Sequence, residues 1–263
     1  MTPIVRLALE EDIGTGDVTS IACIPEEQRA TGKFLAREPL VIAGLELLPD
    51  LYGEIQLFKN NGDRCEPGET IAVVGGAARL LLERERTVLN FLQRLSGVAT
   101  AARKFSDAVA GTGCRVLDTR KTTPGLRILE KAAAAAGGVT NHRMGLYDAI
   151  LIKNNHIAAA GGVGAAIERC RSAGLPIEVE VRTRTELREA LGAGAPRLLV
   201  DNLTPDEASE WIREVAGRAE VELSGGITLE NVRAYAETGA AYVSSGAITH
   251  SARAMDISFR LES

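Results

Sequence analysis

The feature that most constrains this chain is a repeat that starts near residue 111. Short β-branched or Leu-rich runs alternate with Ala/Glu/Arg helical patterns: 115–117, 149–152, 177–181, 198–200, 221–223 and 242–244. The helical patterns between them cover 126–136, 164–173, 185–191, 205–216 and 228–238, with capping signals such as Thr204 before Pro205. Alternation of this kind predicts parallel strands with helices between them. The polar residues that close successive strands are Lys153, Glu180, Asp201, Ser224 and Ser245, spaced 27, 21, 23 and 21 residues apart. So even a step predicts an α/β barrel.

The first hundred residues follow another grammar. A strand is expected around Lys33 to Arg37 and a helix over Leu45 to Tyr52, with turn chemistry at Asn60-Asn61-Gly62-Asp63 and Glu66-Pro67-Gly68-Glu69. A long helical pattern from Arg79 to about Val109, interrupted near Ser96-Gly97, connects the two halves. The expected division is a domain at 1–110, a barrel at 111–250 and a tail at 251–263.

Charge narrows the function. The chain is acidic overall, with a formal net charge of −5, so it offers no basic field for nucleic acid or an anionic membrane surface. The uncharged stretch Ile157 to Ile167 is too short to cross a bilayer, and the amino terminus lacks a basic and then apolar leader. Cys23, Cys65, Cys114 and Cys170 form no C-x-x-C pair and are expected as buried thiols in a reducing cytoplasm. With three histidines in the chain, a His-rich metal site has little material.

Three constellations carry chemistry. On Ile177-Glu178-Val179-Glu180-Val181, period-two alternation places both glutamates on the face opposite the apolar residues. They therefore point inward, with Glu180 nearer the carboxyl-terminal mouth, where barrel active sites form. Lys153 and Asp201 close neighbouring strands at the same mouth. Each alone reads as a solvated strand end, but together they predict a site. Ser224-Gly225-Gly226 and Ser245-Gly246-Ala247 end the last two strands, where glycines let backbone N–H groups approach a phosphate. Lastly, residues 115–156 hold seven Lys/Arg against three Asp/Glu, a local +4 within an acidic protein. Such a patch, with Arg120, Lys121, His142, Arg143 and Lys153, suits a small polyanion.

These residues resemble a known family. Glu85-Arg86-Thr87-Val88-Leu89-Asn90-Phe91-Leu92-Gln93-Arg94-Leu95-Ser96-Gly97, Asp118-Thr119-Arg120-Lys121-Thr122-Thr123-Pro124-Gly125, Asn141-His142-Arg143, Glu178-Val179-Glu180-Val181 and Ser224-Gly225-Gly226-Ile227 look like quinolinate phosphoribosyltransferase. The likeness runs from Glu11-Asp12-Ile13-Gly14 to the tail. It implies an N-terminal α/β sandwich, an incomplete α/β barrel, a tail returning to the first domain and a homodimer with shared active sites.

The resemblance also implies an activity: phosphoribosyl transfer from phosphoribosyl pyrophosphate to quinolinate with decarboxylation, giving nicotinate mononucleotide for NAD biosynthesis. It assigns Arg120, Arg143, Lys153 and a partner subunit's Arg86 to the quinolinate carboxylates, with Lys121 and His142 beside them. It places Glu180 and Asp201 at the ribose and its magnesium, directly or through water or substrate. Ser224, Gly225, Gly226, Ser245, Gly246 and Ala247 would cradle the 5-phosphate. The pattern departs in two places: Lys153-Asn154-Asn155-His156 stands where the family often has Lys-Asp-Asn-His, and the amino terminus starts close to the Glu-Asp-Ile-Gly motif. Competing expectations are an aldolase with Lys153 as a Schiff-base nucleophile, a phosphoribosyltransferase for nicotinate or another acid, and a non-catalytic binding module.

Overall fold

A computed structural model describes residues 2–262. In chain order, the helices α1 (Pro3–Ile13) and α2 (Val18–Cys23) precede β1 (Arg29–Ala36) and β2 (Leu40–Val41). A 3₁₀ helix (Leu45–Asp50), β3 (Glu54–Leu57), β4 (Arg64–Cys65) and β5 (Thr70–Ala77) lead into the long α3 (Ala78–Ala108). After it come β6 (Arg115–Leu117), α4 (Arg127–Ala136), β7 (Ile150–Ile152), α5 (Asn154–Ala160), α6 (Val163–Arg171), β8 (Ile177–Val181), α7 (Arg184–Gly192) and β9 (Arg197–Asp201). The chain ends with α8 (Pro205–Val215), β10 (Glu220–Ser224), α9 (Val232–Ala236), β11 (Tyr242–Ser244), α10 (Ala247–His250) and β12 (Ile257–Glu262).

The contacts divide these elements into two compact units. The first holds the residues up to Arg103, Thr123–Gly138 and the segment from Ala252; the second holds Lys104–Thr122 and Val139–Ser251. In the first, an antiparallel sheet runs in the order β12-β1-β5-β3, with β2 and β4 paired separately. The last strand therefore lies against the first, from Ala36↔Ile257 to Thr31↔Glu262. Gly32 allows this pairing to pack: a β-carbon there would fall 2.0 Å from the Phe259 ring, which instead crosses β1 and meets Phe34 at a centroid separation of 4.9 Å. In the same unit Glu130, with a fully buried side chain, accepts from Arg94 at 2.8 and 3.0 Å and from the Thr123 hydroxyl at 2.7 Å. The segment carrying α4 is thereby tied to α3.

In the second unit all strand pairings are parallel, in the order β6-β11-β10-β9-β8-β7. The first strand sits beside the last, as barrel closure requires, and the seam falls between β6 and β7, where a single bridge joins Leu117 to Thr140. This is an open α/β barrel. Its apolar wall is legible on β8, where Val179 and Val181 are fully buried against the helical layer's side of the sheet while Glu178 and Glu180 occupy the alternate positions. The helices begin where their caps dictate: the Thr204 hydroxyl accepts the Glu207 amide, the Glu207 carboxylate accepts the Thr204 amide at 2.9 Å, and Pro205 occupies the first turn of α8.

Four expectations need correction. The break near Ser96-Gly97 is absent, and α3 runs unbroken through both residues. Leu92, Leu95, Val98 and Ala99 are completely buried and the Ser96 hydroxyl receives the Ala43 amide at 3.2 Å, so packing outweighs the ~1 kcal/mol helix penalty of glycine. The helix over 45–52 is a 3₁₀ turn containing Pro49, whose ring cannot continue an α-helical ladder. The helix over 228–238 shrinks to α9, because the Asn231 side chain accepts the Thr228 amide at 2.8 Å and donates to the Gly226 carbonyl at 2.9 Å, holding 226–231 as a turn. Of the four cysteines, all free thiols, only Cys65 and Cys114 are buried; Cys23 is exposed and Cys170 half-buried.

Candidate active site

Each barrel strand of the second unit contributes to a single cavity of about 260 Å³ at the carboxyl-terminal mouth. Its walls are Thr119, Arg120 and Lys121 after β6, Leu151 and Lys153 at β7, Glu180 of β8 and Leu199 and Asp201 of β9. Glu222 and Ser224 of β10, Ser244 of β11 and the loop residues His142 and Arg143 complete them. Eight residues singled out from the sequence thus meet: Arg120, Lys121, His142, Arg143, Lys153, Glu180, Asp201 and Ser224. The proposed convergence of acidic and cationic groups is realised in one chamber.

The loop bearing His142 and Arg143 is fixed by Asp118. That carboxylate, wholly buried just past β6, accepts from Asn141 Nδ2 at 2.6 Å and from the His142 amide at 2.8 Å. The Arg143 amide donates to His142 Nδ1 at 2.7 Å, so in the neutral ring the proton sits on Nε2. Nε2 in turn lies 3.1 Å from Glu178 and 3.6 Å from Glu222. Arg143 donates to the Ala149 carbonyl at 3.2 Å, and burial first, then the charge of Arg120, hold its guanidinium below its ordinary value. The two guanidiniums thus lie close enough to repel one another.

Glu180, 5% exposed, is held between cations: Lys153 Nζ at 3.1 Å on one oxygen, and the Arg182 guanidinium at 2.8 and 3.1 Å on the other. Lys153 is itself placed by the start of α5, where its amide donates to His156 Nδ1 at 2.9 Å. An ion-paired, half-exposed lysine is the opposite of the desolvated amine a Schiff-base enzyme uses. Asp201 closes β9 and accepts from Asn202 Nδ2 at 2.7 Å.

The phosphate loops are built unequally. Gly225 has φ +90°, and a β-carbon there would meet Asn202 Oδ1 at 2.3 Å and its amide nitrogen at 2.8 Å, so only glycine fits. Ser245 does not line the cavity: it is buried, with its hydroxyl donating to the Ile227 carbonyl at 2.7 Å, and Ser244, one position earlier, reaches the chamber instead. Gly225, Gly226, Gly246 and Ala247 follow the lining residues without being walls, and Arg86 is an exposed residue of α3.

Beneath the cavity lies a cluster the spacing argument only half exposed. Arg197 of β9 donates to Glu222 and approaches Glu178 at 3.1 Å, with its guanidinium 3.9 Å from the centroid of Tyr242. Burial pushes Glu178 up, but the His142 hydrogen bond and the charge of Arg197 outweigh it and hold this carboxyl below its ordinary value. Glu222 moves the other way, raised to about 7 by burial and then by Glu178. Glu222 could have been found from Glu220-Val221-Glu222-Leu223-Ser224, whose alternation puts it on the face of Ser224. Arg197 carries the same signal, since alternation over Arg197-Leu198-Leu199-Val200-Asp201 puts it on the face of Asp201, whereas Arg182, past the end of β8, carries none.

The described residues include no helix long and apolar enough to cross a membrane. Two family profiles match the chain: the N-terminal domain of quinolinate phosphoribosyl transferase at residues 17–96 and its C-terminal domain at residues 98–260. A probable nicotinate-nucleotide pyrophosphorylase (carboxylating) of Bacillus subtilis is 44% identical over 257 residues, covering 94% of this chain and 89% of the relative. A mitochondrial quinolinate phosphoribosyltransferase (decarboxylating) of Nicotiana tabacum is 39% identical, covering 98% and 81%. Among solved structures, NadC from Streptococcus pyogenes superposes with a TM-score of 0.94 at 36% identity over 100% of this chain and 98% of that one. The nicotinate-nucleotide pyrophosphorylase of Francisella tularensis does so with a TM-score of 0.93 at 35% identity over 99% and 95%.

Proposed function

The chain belongs to the quinolinate phosphoribosyltransferase family, and from that premise we propose how its barrel cavity carries out the reaction. It is a pentosyltransferase of NAD biosynthesis that joins quinolinate to the phosphoribosyl group of phosphoribosyl pyrophosphate, releasing pyrophosphate and carbon dioxide and leaving nicotinate mononucleotide. The observation that carries the assignment of the site is the convergence of Arg120, Arg143 and Lys153 with Glu180 and Asp201 on one wall set.

Quinolinate is a dianion, and the two arginine forks and Lys153 supply charge-assisted donors for its carboxylates. Lys121 and His142 line the same space. Glu180 acts by position: with its two oxygens on Lys153 and Arg182, it keeps both cations aimed at the mouth. The ring nitrogen attacks the ribose carbon as pyrophosphate leaves, and the carboxylates stabilise positive charge building on the sugar. Ser224 and the backbone of Gly225, Gly226, Gly246 and Ala247 hold the 5-phosphate, with Ser244 taking the place first assigned to Ser245. Once quaternary, the ring nitrogen draws in the electron pair of the breaking bond to the adjacent carboxylate.

Magnesium prefers oxygen donors and substrate phosphates over a dedicated protein cage. Asp201 fits it, as a cavity-wall carboxylate with one oxygen accepting from Asn202; Glu180, committed to two cations, fits only an outer role. When bound, the ion supplies neutralisation of the departing pyrophosphate. Arg86 joins the carboxylate site from a second copy of the chain in a homodimer, and the free thiols agree with a cytoplasmic setting.

The test is release of labelled carbon dioxide from quinolinate, expected only with phosphoribosyl pyrophosphate and magnesium together. Release without the sugar, or turnover of nicotinate in preference to quinolinate, would overturn the reading. For the shared site, Arg86→Ala and Lys153→Ala proteins should each be inactive and regain activity on mixing; no recovery would remove Arg86 from a partner's site.

A further inference from the structure

The reaction leaves one proton unaccounted for. When the bond from the pyridine ring to its departing carboxylate breaks, the electron pair stays on the ring carbon, which must then form a bond to hydrogen. The cations on the wall are poor sources, because Arg120, Arg143 and Lys153 must stay charged to hold the diacid. His142 has both ring nitrogens committed, Nδ1 to the Arg143 amide and Nε2 to the two glutamates.

Glu222 is differently placed. It lines the cavity, yet its side chain is 1% exposed. It is faced by Arg197 from β9, Glu178 from β8, Tyr242 and Ser244 from β11, and His142 from the loop. Arg197 occupies Oε2, whereas Oε1 is buried without a well-formed hydrogen bond. Two carboxyl groups share one permanent cation beside an imidazole whose Nδ1 accepts a hydrogen bond. The cluster therefore carries one negative charge too many for its burial, and the least costly remedy is a proton on one carboxyl. Burial and the neighbouring Glu178 raise Glu222 to about 7, while Glu178 is lowered, so the proton belongs to Glu222.

Resting on the activity proposed above, we propose that Glu222 is the acid that delivers a proton to the ring carbon vacated by carbon dioxide. The carbon's electron pair takes the proton, the Glu222 O–H bond breaks with its electrons left on oxygen, and the resulting carboxylate is reprotonated from solvent through the open mouth. Arg197 and His142 stabilise that carboxylate in the interval. Glu178 and Arg197 are positioning residues in this scheme.

The experiment uses Glu222→Gln enzyme with magnesium and both substrates, following pyrophosphate and nicotinate mononucleotide separately from pH 5.5 to 9. A first-turnover burst of pyrophosphate is expected, with mononucleotide formation slowed about a hundredfold or more and the directly measured dissociation constant for quinolinate within about threefold, since general acids act on the chemical step. Unsubstituted enzyme should lose turnover as pH rises past neutrality, and the variant should lack that limb. A variant that keeps turnover within threefold, or keeps the alkaline limb, overturns the proposal. Should the variant not fold, infrared difference titration of the unsubstituted protein decides: a buried protonated carboxyl that ionises around neutrality is expected, and its absence overturns the proposal. Unsubstituted enzyme that releases neither pyrophosphate nor carbon dioxide would instead sink the underlying activity.

Discussion

Arg197→Met is the sharpest test of how the barrel interior is balanced. The substitution keeps side-chain length and a sulfur contact to the Tyr242 ring, so the ring's loss of its cation is largely offset. What disappears is the arginine that contacts both Glu178 and Glu222, whose side chains are 7% and 1% exposed. Removing one partner of a buried pair costs about 3–5 kcal/mol. The orphaned carboxyls will take up protons to limit that cost, and their folded-state values then lie above those of the unfolded chain. The folded state binds more protons, so stability falls as pH rises between the two values. At about 1.4 kcal/mol per pH unit for each carboxyl, the deficit should be about 3–5 kcal/mol at pH 8 and about 0–2 kcal/mol at pH 5.5. In the parent, only the raised Glu222 titrates in this range, since the lowered Glu178 is ionised in both states above its ordinary value, so the parent's slope should be that of one carboxyl and should level off above about pH 7. Urea unfolding across that range measures both. A deficit equal at the two ends, or below about 1 kcal/mol at pH 8, would refute the view that Arg197 exists to neutralise buried acids.

Three further outcomes are expected. Arg120→Ala should raise the Michaelis constant for quinolinate by roughly 10- to 150-fold, the equivalent of the ~1.5–3 kcal/mol of a charged hydrogen bond; steady-state kinetics showing an unchanged constant would free Arg120 from the carboxylate role. Glu180→Gln releases Lys153 and Arg182 from their shared anchor, so turnover should fall by about 10²- to 10³-fold with little change in either Michaelis constant; equal activity would remove Glu180 from the mechanism. Gly225→Ala forces a side chain into φ +90° and against Asn202. Stability should drop by about 1–3 kcal/mol, and the constant for phosphoribosyl pyrophosphate should rise about tenfold or more, measurable by thermal unfolding and kinetics together.

The barrel could be read in advance because its periodicity is strong: five strand ends at a near-constant step, with a sixth run before them, leave few topologies open. The inward glutamates of β8 came from the same alternation. What escaped lies where periodicity stops. Arg182 stands just past the end of β8, and its pairing with Glu180 two residues earlier depends on the loop's turn. The Arg197 contacts to Glu178 and Glu222 cross strands separated by about twenty residues of helix and loop, and nothing local records the register that joins them. The swap of Ser244 for Ser245 is a one-residue phase error, which inverts a side chain's face. In the first unit, two-residue strands such as β2 and β4 are shorter than any alternation can mark.

An acidic chain has thus assembled a cationic chamber, and the pairings show how. Glu180 holds Lys153 and Arg182, Asp118 orders the loop of His142 and Arg143, and Glu178 and Glu222 anchor His142 and Arg197. These acids sit at or beneath the wall, while Arg120 stands close enough to Arg143 that burial and then the Arg120 charge weaken Arg143's hold on its proton. The repulsion between these two is already incurred when the barrel folds, so a bound dianion relieves it without the wall having to rearrange. The excess of negative charge on the chain therefore need not weaken the site, because Glu180, Glu178 and Glu222 are already paired with Lys153, Arg182, His142 and Arg197.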